Sequence, residues 1–261
     1  MTEPIQISPY LLPGTIFVER RKTPISHLPY MVKGNMPYGA DFLLMDGPTK
    51  RRAVEQDRRV LEYVKKIVGS DEFIKGKERW CLWIPEEKAH SAMEIPFIKD
   101  RVDKVYDLRI NNKDKNARRL ANRPYQFREM RETTTYSLVV PSVSSENREY
   151  VPIGFVDKNT VVSNLAFVIY DCEPWIFGVV SSHMHNLWFR SVCGGLETRV
   201  RYSNELGYNT FPFPDITDEQ KKEIRTCVNK VIAVREEEFD KTYAQMYQKG
   251  SMSEELKFAH S

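Results

Sequence analysis

The chain has 261 residues, of which 41% are hydrophobic and 29% charged, as in an ordinary globular protein that can bury a core. Its 39 basic and 36 acidic residues give a net charge of +3, which is too small to indicate any class of partner. The four cysteines form no Cys-x-x-Cys pair, which predicts reduced thiols in a cytoplasmic protein and no zinc site. No signal peptide opens the chain, and no apolar run approaches the ~20 residues of a membrane span, so we expect no membrane partner.

The first half of the chain alternates helical and extended patterns. The helix that begins near Thr49 has an apolar stripe of Val54, Leu61, Val64 and Val68, and Gly69 is placed to end it. In chain order we expect a strand or loop segment, this helix, an aromatic strand, a second helix and a further strand, over residues 18–38, 49–69, 80–84, 99–119 and 136–140.

The second half predicts more strands and then a long helix. A strand that turns into a helix is expected over 177–190, with Met184, Leu187 and Trp188 on the buried side. Thr217 and Gln220 form a capping box that opens the last helix, expected to run through Tyr243. The remaining extended segments are 150–154, 160–162, 165–169 and 197–203, before a proline-rich break at 211–214. The whole predicts an α+β fold, with a mixed, mainly antiparallel sheet, flanking helices and a C-terminal helical appendix.

Positive charge is concentrated in residues 99–131. This window holds eleven Lys or Arg and five Asp or Glu residues, a local excess of +6. Such a stripe suits a phosphate backbone, but solvated helix faces are commonly basic as well.

Three charged residues, Glu197, Arg199 and Arg201, alternate with Thr198 and Val200. At strand periodicity their side chains point to one face. Glutamate accepts from cytosine N4 and arginine donates twice to guanine O6 and N7, so this face has the chemistry to read a base pair. A solvated strand whose opposite charges pair with each other is the competing interpretation.

The motifs of common enzymes are missing from the sequence. It has no dinucleotide-binding glycine motif, P-loop, zinc-protease helix or nucleophile elbow. The string 122–125 (NRPY) lacks the first proline of the motif that holds a flipped adenine in N6-adenine methyltransferases. His183 and His185 have no Cys or carboxylate beside them to complete a ligand set, so no metal is expected.

Several other strings match one family in order and spacing. They are 17–21 (FVERR), 31–37 (MVKGNMP), 67–74 (IVGSDEFI), 78–83 (ERWCLW), 141–146 (PSVSSE), 150–155 (YVPIGF) and 208–214 (YNTFPFP). Together they resemble the target-recognition region of MmeI-like (type IIL) restriction–modification enzymes and of large adenine-specific DNA methyltransferases. The resemblance covers nearly the whole chain, from about residue 16 onward.

The resemblance implies a longer parent polypeptide, with this chain as a fragment that lacks the catalytic domains. The parent would be a site-specific N6-adenine DNA methyltransferase that uses S-adenosylmethionine, joined in restriction enzymes to a nuclease that uses Mg²⁺. It implies a DNA target-recognition domain over 1–214 and the truncated start of a C-terminal helical module over 215–261. The expected partners are double-stranded DNA and the methyltransferase domain of the same polypeptide, and no cofactor is expected in this chain itself.

The resemblance also assigns roles to individual residues. In the family, a charged pair two residues apart, just before an Arg-Tyr-Ser string, varies with the base recognised at one position of the target. Glu197 and Arg199 occupy that pair and are the expected base-reading residues. This agrees with the chemistry, because exchanging the donor and acceptor ends inverts the preferred base pair.

Further DNA-contact candidates have cationic or hydrogen-bonding side chains in loop-like motifs or next to the pair. They are Arg201, Tyr202, Ser203, Ser144, Ser145, Arg148, His183, His185, Asn186, Lys33, Asn35, Arg20, Arg21, Arg118 and Arg119.

Structural roles compete with these assignments. Ser144 and Ser145 could cap a turn, the residues around His183 could pack against Trp188, and Arg118 with Arg119 could lie on a solvated helix face. For the whole chain, the competing function is a protein-docking domain that joins methyltransferase and nuclease parts without reading bases, through an exposed amphipathic helix after Thr217.

Overall fold

The computed structural model describes residues 17–260, which form the expected α+β fold. The strands are β1 (Val32–Lys33), β2 (Leu44–Met45), β3 (Val64–Val68), β4 (Trp80–Leu82), β5 (Tyr136–Pro141), β6 (Val143–Ser144), β7 (Gly154–Asp157), β8 (Thr160–Val162), β9 (Ala166–Tyr170), β10 (Gly195–Leu196) and β11 (Arg199–Arg201). The α-helices are α1 (Gly47–Gln56), α2 (Ser70–Lys75), α3 (Ala89–Met93), α4 (Pro96–Ile110), α5 (Lys115–Arg119), α6 (Pro174–Val180), α7 (His183–Val192), α8 (Asp218–Glu237), α9 (Tyr243–Met246) and α10 (Glu254–His260).

The chain divides into two compact units that interleave along the sequence. Of the residues that the structure describes, unit 1 comprises 17–32, 138–155 and 167–260, and unit 2 comprises 33–137 and 156–166. The helical appendix after residue 214 therefore belongs to the same compact unit as much of the predicted recognition domain. The division at 214 stays a prediction about the modules of a longer polypeptide.

Unit 2 is built on a four-stranded sheet in the order β2-β4-β3-β8. β4 pairs antiparallel with both β2 and β3, whereas β8 joins β3 in parallel, with Lys66 opposite Thr160. One face of α4 packs its apolar residues into the core of this unit, alongside Trp83 and Phe127, whose rings meet edge to face at 5.5 Å.

Unit 1 contains most of a four-stranded sheet, in the order β1-β9-β5-β7, and all of a three-stranded sheet, in the order β10-β11-β6. Its core is rich in aromatic rings, among them Phe177, Phe189, Tyr202, Tyr208 and Phe211. Within residues 17–260, no helix combines the length and the apolar character that a membrane span requires.

The helix expected over 49–69 is correct only in its first half. Asp46 accepts a hydrogen bond from the Thr49 amide and caps α1, but the helix ends at Gln56. Val64 and Val68, assigned to its apolar stripe, lie in β3 instead. Their β-branched side chains suit a buried strand, and this tertiary preference outweighs the helical spacing of the apolar residues.

The segment 177–190 is helical on both sides of a break at residues 181–182, so the predicted initial strand is wrong. Pro174 opens α6, and Ser182 ends the break between α6 and α7 by accepting from the His185 amide. The predicted buried face of α7 is wrong for Met184 and Leu187, which are 72% and 54% exposed, whereas Trp188 does pack against the unit 1 core.

The capping box at the start of α8 is confirmed: Thr217 accepts from the Gln220 amide, and the Gln220 side chain accepts from the Thr217 amide. The helix ends at Glu237, before the predicted end at Tyr243. Its apolar side packs against α6 in the unit 1 core, where Gly178 leaves room for Ile224 and Val228.

Candidate nucleic-acid interface

Strands β10 and β11 form a short hairpin, and β11 is also paired antiparallel with β6. Leu196 is paired with Arg199, so Glu197 and Thr198 form a two-residue loop. Glu197 has a φ of +58°, the positive value that the primed hairpin turns require and that favours glycine or asparagine. The prediction of an extended segment from 197 is therefore wrong at its start, since Glu197 lies in the turn and only 199–201 is strand.

The turn changes how the charged side chains are displayed. In β11, Arg199 and Arg201 are exposed while Val200 between them is half-buried against the aromatic core. The amide of Tyr202 donates to the Ser142 carbonyl at 3.0 Å, which ties the end of the strand to the segment before β6. The hairpin therefore has a fixed base and a solvent-exposed charged tip.

Glu197 and Arg199 form an ion pair at the tip. The Arg199 Nη2 to Glu197 Oε2 distance is 2.8 Å, and the two side chains are 46% and 75% exposed. An exposed pair of this kind contributes roughly 0–1 kcal/mol to stability, so its hydrogen bonds can be exchanged for others at little cost. The Arg201 side chain is exposed and makes no hydrogen bond or ion pair with any residue in 17–260.

One contact at the tip comes from residues that the sequence did not single out. The Thr198 hydroxyl donates to Glu146 Oε1 at 3.0 Å, joining the turn to the segment that follows β6. The pKa of Glu146 is held below its ordinary value by the residue's own backbone amide and then by Thr198, with a smaller effect of Arg199. The only sequence signal was the position of Glu146 at the end of the 141–146 motif.

The base of the hairpin rests on buried polar groups. His185 Nε2 lies 2.8 Å from the Tyr202 hydroxyl, and both side chains are almost fully buried. Burial lowers the pKa of His185 to about 3, so the imidazole is neutral. A ring enclosed by Phe189 and Phe211 cannot reach DNA, which assigns His185 and Tyr202 a structural role instead of the predicted contact.

Asn186 is likewise buried and is used within the protein. Its amide nitrogen donates to the Glu149 carbonyl at 2.6 Å, and its oxygen accepts from Arg190 Nε at 3.1 Å. The predicted DNA contact by this side chain is therefore not supported. His183 is exposed at the start of α7, with its ring 6.3 Å from that of Tyr150.

The serines of the 141–146 motif act within their own segment. Ser144 is 3% exposed, and its hydroxyl lies 3.4 Å from Arg148 Nη1. Ser145 accepts from the Asn147 amide at 3.2 Å, which is the turn-capping alternative considered for it. Arg148 is half-buried, and desolvation lowers its pKa.

Two further candidates bear on the loop 17–25. Ser203 caps a π-helical turn over Asn204–Tyr208 by accepting from the Leu206 amide at 3.3 Å. Arg21 is bound to that region through its backbone, donating to the Glu205 carbonyl at 3.0 Å, while its side chain and that of Arg20 are exposed. The loop thus presents Arg20 and Arg21, together with the exposed Lys22, from a main chain bound at Arg21.

In unit 2, Asn35 is fully buried and both ends of its amide are used. Its nitrogen donates to the Arg131 carbonyl at 2.9 Å, and its oxygen accepts from the Arg131 amide at 2.8 Å. The predicted DNA contact of Asn35 is therefore not supported, whereas Lys33 is exposed.

Much of the basic stretch 99–131 is neutralised or used internally. Lys99 pairs with Asp103 and Lys104 with Asp100, both at 2.6 Å along α4. Arg118 Nη1 donates to the carbonyls of Asn112 and Lys113 at 2.7 and 2.8 Å. The exposed Arg119 makes no such contact with a residue in 17–260.

Arg109 is completely buried within this stretch. Its guanidinium donates to five main-chain carbonyls, those of Pro37, Tyr38, Leu120, Arg123 and Gln126, at 2.8–3.3 Å. Burial lowers its pKa to about 10. The residue joins the segments 37–38 and 120–126 to α4 and is not available to phosphate.

Among residues 17–260, no group of three or more His, Cys, Asp and Glu side chains could hold a metal ion. The four cysteines are free. Burial raises the pKa of the Cys81 and Cys172 thiols to about 12, so neither is a reactive thiolate.

Comparison with known proteins identifies the relatives of this arrangement. DNA methyltransferase A of Bacillus subtilis (strain 168) is 42% identical over 255 residues, which are 97% of this chain and 29% of that protein. The solved structure of the type IIL restriction–modification enzyme MmeI in complex with DNA matches with a TM-score of 0.92 and 37% identity, over 97% of this chain and 34% of that one.

The type IIG restriction endonuclease BpuSI shares the fold alone, with a TM-score of 0.51 and 12% identity over 88% of this chain and 29% of its own. This chain therefore spans about a third of the length of each of these relatives. The family model of the MmeI target recognition domain matches residues 13–215. With that match over most of its length, the chain belongs to the MmeI target recognition domain family.

Proposed function

We propose that this chain reads a specific double-stranded DNA sequence and that Glu197 and Arg199 distinguish one base pair of it. The observation that carries the proposal is a paired donor and acceptor at the exposed tip of a hairpin whose base is fixed in an aromatic core. The major groove of B-form DNA admits a two-stranded β-ribbon. The likeness to MmeI, whose structure was solved in complex with DNA, supports this mode of binding.

The chemistry of the tip suits a G·C pair. Arginine can donate two hydrogen bonds to guanine O6 and N7, and glutamate can accept one from cytosine N4. In the free protein the two side chains bind each other at 2.8 Å, which keeps both groups satisfied until DNA replaces the contact. Because the pair is exposed and weak, this exchange costs little.

Glu197 is also held in a backbone conformation that its side chain does not favour. A φ of +58° costs a residue with a Cβ atom roughly 1–2 kcal/mol, and glycine or asparagine would adopt it more readily. A strained conformation at an exposed tip is a reason to look for function in the side chain. We infer that the carboxylate is needed there.

Affinity would come from exposed cations that contact phosphates. The proposed contacts are the side chains of Arg201, Arg20, Arg21, Lys33 and Arg119, all exposed. Phosphate contacts are independent of sequence and make binding salt-dependent. The half-buried Arg148 and the exposed His183 remain weaker proposals of the same kind.

For the complete polypeptide we propose S-adenosylmethionine-dependent N6-methylation of adenine in cytoplasmic DNA, with or without a nuclease that uses Mg²⁺. The methyltransferase domain of the same polypeptide would then be the intramolecular partner. The support is the relationship to DNA methyltransferase A and to the restriction–modification enzyme MmeI, each about three times the length of this chain. The division into a recognition domain over 1–214 and a helical module over 215–261 belongs to the same proposal.

A pure docking function is less well supported. Its argument was an amphipathic helix left exposed after Thr217, but the apolar side of α8 is covered within unit 1 by α6 and α10. No exposed apolar stripe of that helix therefore calls for a partner face.

Selection from a randomised duplex DNA library by the chain, followed by sequencing, tests the function directly. We expect a defined consensus, and we expect Glu197→Lys with Arg199→Asp to change it at one base pair, because the donor and acceptor are exchanged. The matched control is Glu254→Lys with Lys257→Glu, which reverses another exposed ion pair of unit 1 and should leave the consensus unchanged. Binding with an unaltered consensus in the 197/199 variant would refute base reading by this pair.

The same variants can also be tested by their methylation activity in the complete polypeptide. Sequencing that detects N6-methyladenine in cellular DNA would then report the methylated motif of each variant. A change at one position of that motif is expected for the 197/199 exchange and no change for the control.

A further inference from the structure

The loop of the β10–β11 hairpin (residues 195–201, the recognition hairpin) is held by a neighbouring segment as well as by the hydrogen bonds between its own strands. The neighbouring segment 144–148 is a compact turn, in which the Ser145 hydroxyl accepts from the Asn147 amide at 3.2 Å and the Ser145 carbonyl from the Arg148 amide at 3.3 Å. Glu146 lies at the exposed corner of this turn. The turn is anchored because it directly follows β6, the strand paired with β11.

From that corner, Glu146 reaches the middle residue of the tip. Its Oε1 accepts from the Thr198 hydroxyl at 3.0 Å, and Thr198 stands between Glu197 and Arg199 in the chain. Ser145 Oγ lies 3.5 Å from the second oxygen, Oε2. The contact therefore joins two anchored segments at the point where the hairpin reverses direction.

A two-residue loop at the end of strands only two and three residues long has little else to fix its orientation. Sites that discriminate between bases need their side chains within roughly 0.5 Å of the productive geometry, and this requires support from neighbouring residues. The bond between Glu146 and Thr198 supplies a support of that kind from a segment outside the β10–β11 ladder.

The charge of Glu146 also indicates that this residue supports the tip. A carboxylate on a surface that approaches DNA is repelled by phosphates, so an exposed acid beside the recognition tip carries a cost. Here the carboxylate accepts a bond from Thr198 and lies close enough to Arg199 for the arginine to favour its charged form. The acid is thus engaged with the tip itself.

We propose that Glu146 and Thr198 form a latch that positions the base-reading pair Glu197 and Arg199. The inference rests on the proposed function and adds two positioning residues to it. Neither is assigned a contact with a base. The latch sets the orientation of the turn, and through it the discrimination at the base pair that residues 197 and 199 read.

A double-mutant cycle tests the latch. Glu146→Ala, Thr198→Val and the double variant are compared with the unaltered chain for binding to the consensus duplex and to duplexes changed at one position each. We expect each single variant to lose discrimination about 3- to 10-fold, the value of one net hydrogen bond, at the base pair read by 197 and 199. The double variant should lose no more than either single one, because both remove the same bond.

Conservative replacements separate positioning from folding. Glu146→Gln keeps an acceptor oxygen and Thr198→Ser keeps the hydroxyl, so both should restore discrimination to within about 2-fold of the unaltered chain. Thermal melting is measured for every variant, and the latch predicts unchanged melting with altered discrimination.

The outcomes distinguish this inference from the function on which it rests. An unaltered chain that shows no sequence preference would overturn the proposed function. A chain that does discriminate, with Glu146→Ala and Thr198→Val variants that discriminate equally well, would overturn the latch alone. An equal loss of affinity for all duplexes would overturn it too, because a merely structural role predicts that result.

Discussion

The recognition hairpin (residues 195–201) and the basic stretch (residues 99–131) are both rich in charge, yet they use it in opposite ways. In the basic stretch, Arg109 is buried among main-chain carbonyls, and the lysines at 99 and 104 are paired along their own helix. In the hairpin, Arg199 has one exposed partner and Arg201 has none among the residues that the structure describes. In the basic stretch, which has the larger charge excess, many cations therefore already bind carbonyl or carboxylate groups of the protein.

A count of charged residues therefore does not locate an interface. An arginine can be a structural hydrogen-bond donor, because its planar fork supplies five N–H groups in a fixed geometry. A cation is available to DNA only when its donors are not already used within the protein. Measurements of unfolding, of its pH dependence and of DNA binding test this contrast between the two regions.

The largest effect is expected for Arg109→Met in the basic stretch. Removing the guanidinium leaves five main-chain carbonyls without their donor, which should lower the free energy of unfolding by about 3–5 kcal/mol. Arg109→Lys should not rescue it, because a lysine cannot supply the fork. Urea denaturation measures both.

The matched comparison is the exposed pair of the hairpin. Glu197→Ala with Arg199→Ala should change the unfolding free energy by less than about 1 kcal/mol, since surface ion pairs contribute little. Equal destabilisation by the two sets of variants would show that the charges of both regions are structural, and the contrast would fail.

An effect of pH on stability is also expected, and it comes from the buried residue His185 at the base of the hairpin. The pKa of His185 is lowered by burial from 6.5 to about 3, so the unfolded chain binds an extra proton between these values. The stability contributed by the neutral ring is complete above pH 6.5 and is lost as pH falls toward 3, at about 1.4 kcal/mol per pH unit.

His185→Gln keeps a group that can bond Tyr202 but does not titrate in this range. Unfolding free energies measured from pH 7 to pH 4 should therefore fall less steeply for this variant than for the unaltered chain. A further pH dependence of stability remains in the variant and in the unaltered chain, because burial also lowers the pKa of His260 to about 3. Identical slopes would contradict the assignment of His185 as a buried neutral residue.

The smallest effect concerns the salt dependence of DNA binding. Lys115 and Arg119 are exposed, with no hydrogen bond or ion pair to any residue within 17–260, whereas Lys99 and Lys104 are paired. Lys115→Ala with Arg119→Ala should reduce the slope of log K against log salt by about 1–2, since each lost phosphate contact removes roughly 0.9.

The paired control, Lys99→Ala with Lys104→Ala, should leave that slope nearly unchanged. A larger reduction in the control than in the 115/119 variant would reverse the ranking of the two sets. It would show that paired lysines remain available to phosphate.

Local signals in the sequence predicted some of this structure well. The capping box of Thr217 and Gln220 opens α8 as expected, because it depends only on residues three apart. The α+β fold and the family followed from motifs that keep their order and spacing over the chain. The sequence also identified Glu197 and Arg199 as a charged pair, although it placed both on one strand and missed the hairpin turn at Glu197, and their reading of a base pair stays a prediction.

Features that depend on distant partners were not predictable in this way. Arg109 looked like one more cation of a basic helix, since its five carbonyl partners lie outside that helix in the segments 37–38 and 120–126. Met184 and Leu187 looked like a buried stripe, but α7 turns His185 and Phe189 to the core. The latch from Glu146 to Thr198 joins residues 52 apart in the sequence, which no local pattern reveals.

The parallel pairing of β8 with β3 has a consequence for how the chain acquires its structure. The partner strand of Lys66 and its neighbours begins only at Thr160. One edge of β3 therefore stays unpaired while the intervening residues are synthesised. Pairings between residues so far apart form slowly and leave strand edges exposed to other chains. Unit 2 should therefore aggregate when synthesis is cut short before residue 160, and soluble yield should depend on how quickly that last strand arrives.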